Sequence, residues 1–446
     1  MRVIVIGAGK AGYELALRLS EENHDVVVID KNTESLQEIA NLDVMTVEGN
    51  GASPEILELA QVSNAQVVVA VTEIDEVNMI ACMTAKQYGV PTCIARLRNP
   101  DYTSANPRGL SMQRLGIDLI IEPEQLAALE IARLIKTPLA SDVDYFADGR
   151  VTMIGLQVDA DAKIVGRSLA QCRLKNSLIV AVERNEEFII PKGDYVVQAH
   201  DRLFVVGRTG KFQQIRALVG KPAHQIRAIA VVGAGRIGLN TVRLLSPRRN
   251  NISITLFEKD PVQADRAARL FPHILVIQGD ASRMDVLCEE GSRQFDALVA
   301  VSGEDHVNLL TTMIAKELGI REVIAQISRE DYAPLATKAG ADAVVIPRLL
   351  TVSSVLRIVR ESEIISISLL KGGAETLEFN APAGCPLIGV PLKEADFPSK
   401  ALLGAIIHRN EVIIPRGDSV IRKGDRVIVF ALPEAIDELT WLFRQK

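Results

Sequence analysis

No apolar run in this sequence approaches the ~18 residues that a membrane-spanning helix needs, so any work at a membrane is expected to be done from outside it, through a partner. A surplus of basic residues is also missing. The formal charge is −6, whereas proteins built to hold nucleic acid are usually strongly basic. Cysteine is sparse and scattered: Cys82, Cys93, Cys172, Cys288 and Cys385 form no CxxC and no regular spacing. They read as reduced, mostly buried thiols of a cytosolic protein. Met1 runs straight into a strand pattern, so no signal peptide is expected. The six histidines are isolated from one another. What remains is a soluble globular composition, 48% apolar and 24% charged, with no disordered tail and length enough for two to four domains.

Repetition is what the sequence has in plenty. Gly7, Gly9 and Gly12 of "VIVIGAGKAGYE" recur as Gly233, Gly235 and Gly238 of "AVVGAGRIGLN". Asp30, closing "VVVID", matches Glu258, closing "ITLFE", and "VEGNGAS" matches "IQGDAS". "VVVAVTEIDEVN" matches "ALVAVSGEDHVN", pairing Asn78 with Asn308, and "IARLRNPDY" matches "IAQISREDY". The offset then drops by about six residues, so the first copy carries an insertion near "TSANPRG". Further on, "AVERNEEFIIPKGDYVVQAHDRLFVVG" matches "AIIHRNEVIIPRGDSVIRKGDRVIVFA". Order and spacing held over two hundred residues indicate a duplication.

Each half begins with Val/Ile-rich runs alternating with helical patterns, the mark of a parallel sheet covered on both faces. A joining amphipathic helix follows, "PEQLAALEIARLIKTP" or "PRLLTVSSVLRIVRES". It is either a covering helix or a dimer contact; its pattern does not decide. The second module shows alternating strands, "FIIPKGDYVV" and "DRLFVVG", ending in a helix, and reads as a small α+β unit. The expected fold class is therefore α/β, with two Rossmann-like doubly wound parallel sheets, each followed by a small α+β domain.

A GxGxxG that follows a strand, opens a helix and has an acid ending the next strand is a nucleotide-site pattern. Gly7 permits the tight turn, Gly9 lets a pyrophosphate approach, and Gly12 allows close helix packing. The amides around Lys10 and Ala11 offer the positive end of a helix dipole. Asp30 stands at the spacing of an acid that binds adenosine ribose hydroxyls, favouring NAD(H) over NADP(H). Loops at the ends of the later strands bring Gly49–Asn50–Gly51, Thr72–Glu73 and Arg96 to the same crevice. Arg96 is a candidate phosphate partner. Glu73, Asp75 and Glu76 suit the start of a helix better than a metal site.

No catalytic arrangement accompanies these turns. Hydride transfer needs an acid or base beside the nicotinamide, yet His306, the histidine near a crevice, stands where the first copy has Glu76. Two nucleotide modules without visible chemistry suggest a sensor, with an NAD-dependent oxidoreductase and a scaffold with vestigial sites as rival readings.

The stretch "AVTEIDEVNMIACMTAK" after "GAGKAG", Asp30 and "GNG", with "IARLRNPDY", resembles the RCK (KTN) domains that regulate potassium transport. The second module, with "GRSL" and "IPKGDYVVQAHDRLFVVG", is similar to the RCK C-terminal domain. Two such domains in tandem without a membrane span resemble the peripheral NAD-binding subunits of Trk/Ktr-type potassium uptake systems. That resemblance implies a non-enzymatic homo-oligomer, a dimer or tetramer ring, at the inner face of the cell membrane. It would dock on a TrkH/TrkG-like potassium-translocating membrane subunit and answer to NAD(H), with ATP or ADP as further ligands.

Carried over by position, the family's site falls on Gly7, Ala8, Gly9, Lys10, Ala11, Gly12, Asp30, Gly49, Asn50, Thr72, Glu73 and Arg96. In the second copy it falls on Gly233, Ala234, Gly235, Arg236, Ile237, Gly238, Glu258, Gly279, Asp280, Ser302, Gly303 and Gln326. Gln326 lacks the charge of Arg96, so the second site is expected to bind more weakly or to prefer another nucleotide. The implied domains are 1–123 and 226–347 (Rossmann), 144–225 and 364–446 (C-terminal), with linking helices 124–143 and 348–363.

Overall fold

Short valine- and isoleucine-rich runs become strands because branched side chains pack well on a pleated surface. The computed structural model describes every residue except 104–110, 186, 222–224, 246–251, 290–294, 360–363, 371–373 and 444–446. Nearly all of the insertion inferred at "TSANPRG" thus lies outside the described residues.

In the first half, β1 (Arg2–Ile6), β2 (Asp25–Asp30), β3 (Met45–Glu48), β4 (Val67–Ala70), β5 (Thr92–Arg96) and β6 (Leu119–Ile121) form one sheet. Its order is β3-β2-β1-β4-β5-β6, with every pair parallel. β1 sets Ile4 against Val27 and Val68, and all three are fully buried. Strand order reverses between β1 and β4, which leaves a crevice at the carboxyl ends of those strands.

The helix Lys10–Glu21 opens from that crevice. It buries Gly12, Leu15, Ala16 and Leu19, the i, i+3, i+4, i+7 face of a 3.6-residue period. Each buried leucine contributes about 1.5–3 kcal/mol. The helix stops at Glu22, followed by Asn23 in the left-handed region at φ 58°.

The first C-terminal module contains β7 (Asp142–Phe146), β8 (Val151–Gln157), β9 (Ser177–Arg184), β10 (Glu187–Ile189) and β11 (Arg202–Arg208), ordered β10-β9-β11-β8-β7. The sequence pattern shows only two of these strands clearly. Aspartates at 142 and 144 mask the pattern of β7. "FIIPKGDYVV" is not one strand: β10 ends at Ile189, and Pro191, which has no N–H to give a ladder, leads into a turn closed by Tyr195 N–H on the Lys192 carbonyl at 3.0 Å.

The second half repeats both sheets. β12 (Ala228–Val232), β13 (Ser253–Glu258), β14 (Leu275–Gln278), β15 (Ala297–Ala300), β16 (Glu322–Gln326) and β17 (Ala343–Val345) take the order β14-β13-β12-β15-β16-β17. β18 (Ile364–Leu369), β19 (Glu375–Asn380), β20 (Ala401–His408), β21 (Glu411–Ile413) and β22 (Arg426–Ala431) take β18-β19-β22-β20-β21. Strand for strand, these are the topologies of the first half.

The chain folds into two compact units, Met1–Leu126 with Pro347–Glu361, and Ala127–Ile346 with Ser362–Lys446. In the first, the helix Pro347–Val359 of the second half packs on the helix Lys10–Glu21. This joining helix is therefore a covering helix, but for the opposite repeat. In the second unit, the two C-terminal sheets share one core. Phe204 and Phe430 lie 5.9 Å apart between ring centres, with Phe188 at 5.4 and 6.1 Å from them. Val180, Val206 and Ile428 surround them. Two modules too small to hide their own sheet faces bury them on each other.

Candidate functional site

The first crevice is built around three glycines that differ in what they do. Gly7 adopts φ 109° and donates its N–H to the Ile29 carbonyl at 2.8 Å. A Cβ on Gly12 would stand 1.7 Å from the Gly7 carbonyl oxygen, so helix and turn can meet only without a side chain there. A Cβ on Gly9 would meet nothing within 4 Å. Gly9 faces open space at the mouth of the helix, whose first amides are unpaired by the helix itself. Ala8 is buried, whereas Lys10 is exposed and Ala11 half-buried beside it.

Asp30, expected to face a ribose, first organises the protein. One carboxylate oxygen accepts from Ala8 N–H at 2.6 Å and the other from Asn32 N–H at 2.8 Å. The acid thereby ties the end of β2 to the glycine turn. Gly49 N–H donates to the Asp30 carbonyl at 2.8 Å, and Asn50 closes its own loop by accepting from Ala52 N–H at 3.1 Å.

Thr72, in the loop after β4, and Arg96, the last residue of β5, are joined by a residue that sequence spacing does not single out for the site. Asn78 is wholly buried. Its Oδ1 accepts from Thr72 N–H at 3.0 Å and from the Thr72 hydroxyl at 2.7 Å. Its amide donates to the carbonyls of Thr72 and Arg96, at 3.0 and 2.8 Å. The available signal was the repeat, since Asn308 stands equally far from Ser302.

The Arg96 guanidinium reaches the Val71 carbonyl at 3.4 Å, while its buried Nε has no hydrogen-bond partner. Burial foremost, and then Arg98, lowers its pKa, against the pull of Glu124, Glu73 and Asp75. The guanidinium is thus partly desolvated, and one of its donors finds no partner within the protein. Of the nearby acids, Asp75 accepts from Arg98 and Asn99 N–H at 2.9 and 2.7 Å, and Glu76 accepts from the Tyr102 hydroxyl at 2.6 Å. Glu73 is exposed.

The second crevice repeats the scaffold. Gly233 has φ 107°, and a Cβ on Gly238 would stand 1.9 Å from the Gly233 oxygen; Gly235 again faces open space. Glu258 does what Asp30 does, accepting from Ala234 N–H at 2.6 Å and Asp260 N–H at 2.9 Å. Asn308 joins Ser302 to the Gln326 carbonyl, at 3.1 and 2.9 Å. Arg236 and Gly303 are exposed and Ile237 is half-buried.

Two features separate the crevices. Gln326 is 6% exposed and donates to the Ser328 hydroxyl at 3.1 Å, so its amide is already engaged. Gly279 N–H donates to the Glu258 carbonyl as Gly49 does to Asp30, but the next residue is the acid Asp280 in place of Asn50. Hydrogen bonds from Ser282, at 2.7 and 3.0 Å, lower the Asp280 pKa and keep it ionised. A negative group thus stands where the first crevice is neutral.

The doubled fold defines a tandem protein of the Rossmann-like α/β class with paired C-terminal modules. Residues 3–123 and 229–347 match the TrkA-N domain, and residues 153–220 and 376–444 match the TrkA-C domain. The chain belongs to the TrkA family of tandem RCK-domain proteins. It is 36% identical over 454 aligned residues, covering all of both chains, to Trk system potassium uptake protein TrkA homolog 1 of Methanosarcina mazei. Among solved structures, the GsuK channel bound to NAD matches with a TM-score of 0.59 at 17% identity, over 99% of this chain and 79% of that one. GsuK bound to ADP matches at 0.50 and 15% identity, over 81% and 70%. At these identities the likeness establishes the fold. Among the described residues no helix is long and apolar enough to cross a membrane.

Proposed function

We propose that this protein is a nucleotide-responsive regulatory subunit of potassium uptake and not an enzyme. It works as a homo-oligomer at the inner face of the cell membrane, docked on a potassium-translocating integral membrane subunit of the TrkH/TrkG kind. The observation that carries the nucleotide part is the Arg96 guanidinium, whose buried Nε lacks a partner, in a crevice whose glycine turn is tied to the end of β2 by Asp30.

In the first crevice a dinucleotide or adenine nucleotide would lay its phosphates on the turn Gly7–Gly12, facing Lys10 and Ala11. Arg96 would act as counter-charge, with Gly49, Asn50, Thr72 and Glu73 lining the remainder. The free edges of the Asp30 carboxylate would take the ribose hydroxyls. NAD(H) suits this acid, and ATP or ADP offers the same phosphates and ribose. In the second crevice Gly233–Gly238, Glu258, Gly279, Asp280 and Ser302 take the same places, but Asp280 and the engaged Gln326 oppose anionic phosphates, so occupancy there is weaker. Binding changes the regulator only so far as the ligand prefers one conformation of the assembly. The domain limits we propose are those read from the sequence, residues 1–123, 144–225, 226–347 and 364–446, except that the first C-terminal module begins at Asp142, where β7 starts.

The test is calorimetry on the full chain with NAD, NADH, ATP and ADP, repeated on Arg96→Gln and Gly9→Glu. Binding without turnover, weakened about tenfold in Arg96→Gln and lost in Gly9→Glu with the fold intact, supports the reading. Absence of heat with all four nucleotides, or unchanged affinity in both variants, overturns it.

A further inference from the structure

Glu322, the first residue of β16, is 0% exposed, a rare position for a carboxylate. Thr92 fills the matching place in the first half, so the repeated architecture does not itself demand an acid. One carboxyl oxygen accepts from the backbone N–H of Leu139 at 2.5 Å, and the other is buried with no hydrogen-bond partner.

Three segments of the second unit meet at this carboxyl. One is β16 itself. The second is the connector between the helix Pro123–Lys136 and β7, where Leu139 sits in the left-handed region at φ 62°, a conformation that a side-chain-bearing residue adopts at a cost. The third is the helix Gln213–Leu218, which closes the first C-terminal module and brings up Arg216, 6% exposed. The other charged groups that act on Glu322 are Lys316 and Asp342, paired with each other at 2.5 Å, Asp342 also accepting from Val323 N–H at 2.8 Å. The main-chain carbonyl of Asp296 takes the N–H of Glu322 at 3.2 Å.

We propose that Glu322 is a proton-linked latch on this joint: protonated, it holds the connector at Leu139 against the second parallel sheet; ionised, it favours an opened joint in which water or Arg216 reaches the carboxylate. The far end of the same strand carries Gln326, at the second crevice, so the latch lies on the route between that crevice and the first C-terminal module. The latch stands on the joint's own geometry and does not depend on what the crevices bind.

Burial above all, with Asp342 second, raises the Glu322 pKa from 4.5 to about 8; Leu139 N–H, Lys316 and Arg216 pull the other way and do not prevail. In the opened joint the carboxyl regains its ordinary value. The opening constant therefore rises with pH between about 4.5 and about 8, by at most about tenfold per pH unit, and levels off above that window.

Hydrogen exchange of the Leu139 and Ala140 amides in the full chain, corrected for intrinsic base catalysis, tests this between pH 5.5 and 9. In the wild type, protection should fall by up to about tenfold per unit and become flat above pH 8. In Glu322→Gln it should stay flat throughout, and in Asp342→Asn the plateau should begin at lower pH. Parallel profiles in wild type and Glu322→Gln overturn the latch. If Glu322→Gln does not fold, an unshifted plateau in Asp342→Asn overturns it.

Discussion

The side-chain amide of Asn78 donates to the main-chain carbonyl of Arg96 at 2.8 Å. The bond fastens the carboxyl end of β5 to the helix Asp75–Gln87, and the same side chain holds Thr72 at the end of β4. One buried amide therefore fixes the spacing of two crevice loops.

Replacing Asn78 by Ala leaves the Thr72 N–H and two carbonyls without that partner. Leaving such buried groups unsatisfied costs about 1–3 kcal/mol or more. A lower calorimetric unfolding temperature is expected, together with weaker nucleotide binding. Asn308→Ala should do the same to the second crevice and leave affinity at the first unchanged.

Gly12 and Gly9 should respond differently to the same added methyl group. A Cβ at residue 12 falls 1.7 Å from the Gly7 oxygen, which forces helix and turn apart, whereas at residue 9 it enters open space. Overpacking of this kind costs typically about 1–3 kcal/mol or more. Gly12→Ala should lower thermal stability markedly in calorimetry. Gly9→Ala should unfold as the wild type does and differ only in ligand affinity.

Glu130 and Asp144 make stability depend on pH. Burial is the main cause raising both pKa values, and each stands near further acid: Glu130 near Asp144, Asp144 near Asp142. Arg133, at 3.4 Å from Glu130, and the Ser368 hydroxyl, at 2.5 Å from Asp144, oppose the shift incompletely. Carboxyls with raised folded-state pKa values bind protons that the unfolded chain has released. Stability should thus fall as pH rises from the ordinary carboxylate range towards the raised values. Melting temperature measured from pH 5 to 8 should decline less steeply in Glu130→Gln than in the wild type; equal slopes would contradict this.

The buried thiols should be inert in the native protein. Burial raises Cys93 to about 12 and Cys82 well above its ordinary value, and the thiolate is the reactive form. Cys82, Cys93, Cys172 and Cys385 are free and buried, as the sequence reading expected; the Cys288 side chain lies outside the described residues. Peptide mapping after alkylation at pH 8 should find Cys82 and Cys93 unmodified until urea is added.

Much of the crevice scaffold was legible because its signals are local. The Gly7–Gly12 and Gly233–Gly238 turns lie between a strand and a helix, and Asp30 and Glu258 end β2 and β13, as spacing alone implies. The buried role of Asn78 was not read, because an asparagine on a helix carries no periodic signal that says which carbonyls it will meet. Asp30 and Glu258 were placed at the crevice, but the sequence does not tell that their first partners are Ala8 and Ala234 N–H.

Taken by itself, the sequence determined the duplication, both parallel sheets and both glycine turns. These depend on side-chain volume and backbone sterics within a few residues, and each holds wherever the segment lies. Only the tertiary structure decided that the helix Pro347–Val359 covers the opposite half, that Phe188, Phe204 and Phe430 make one core of two modules, and that Gln326 is engaged by Ser328. It alone placed Glu322 on Leu139, 183 residues away in the chain. An apolar face or a buried carboxyl announces that it needs a partner, but which partner it finds depends on how the whole chain closes on itself.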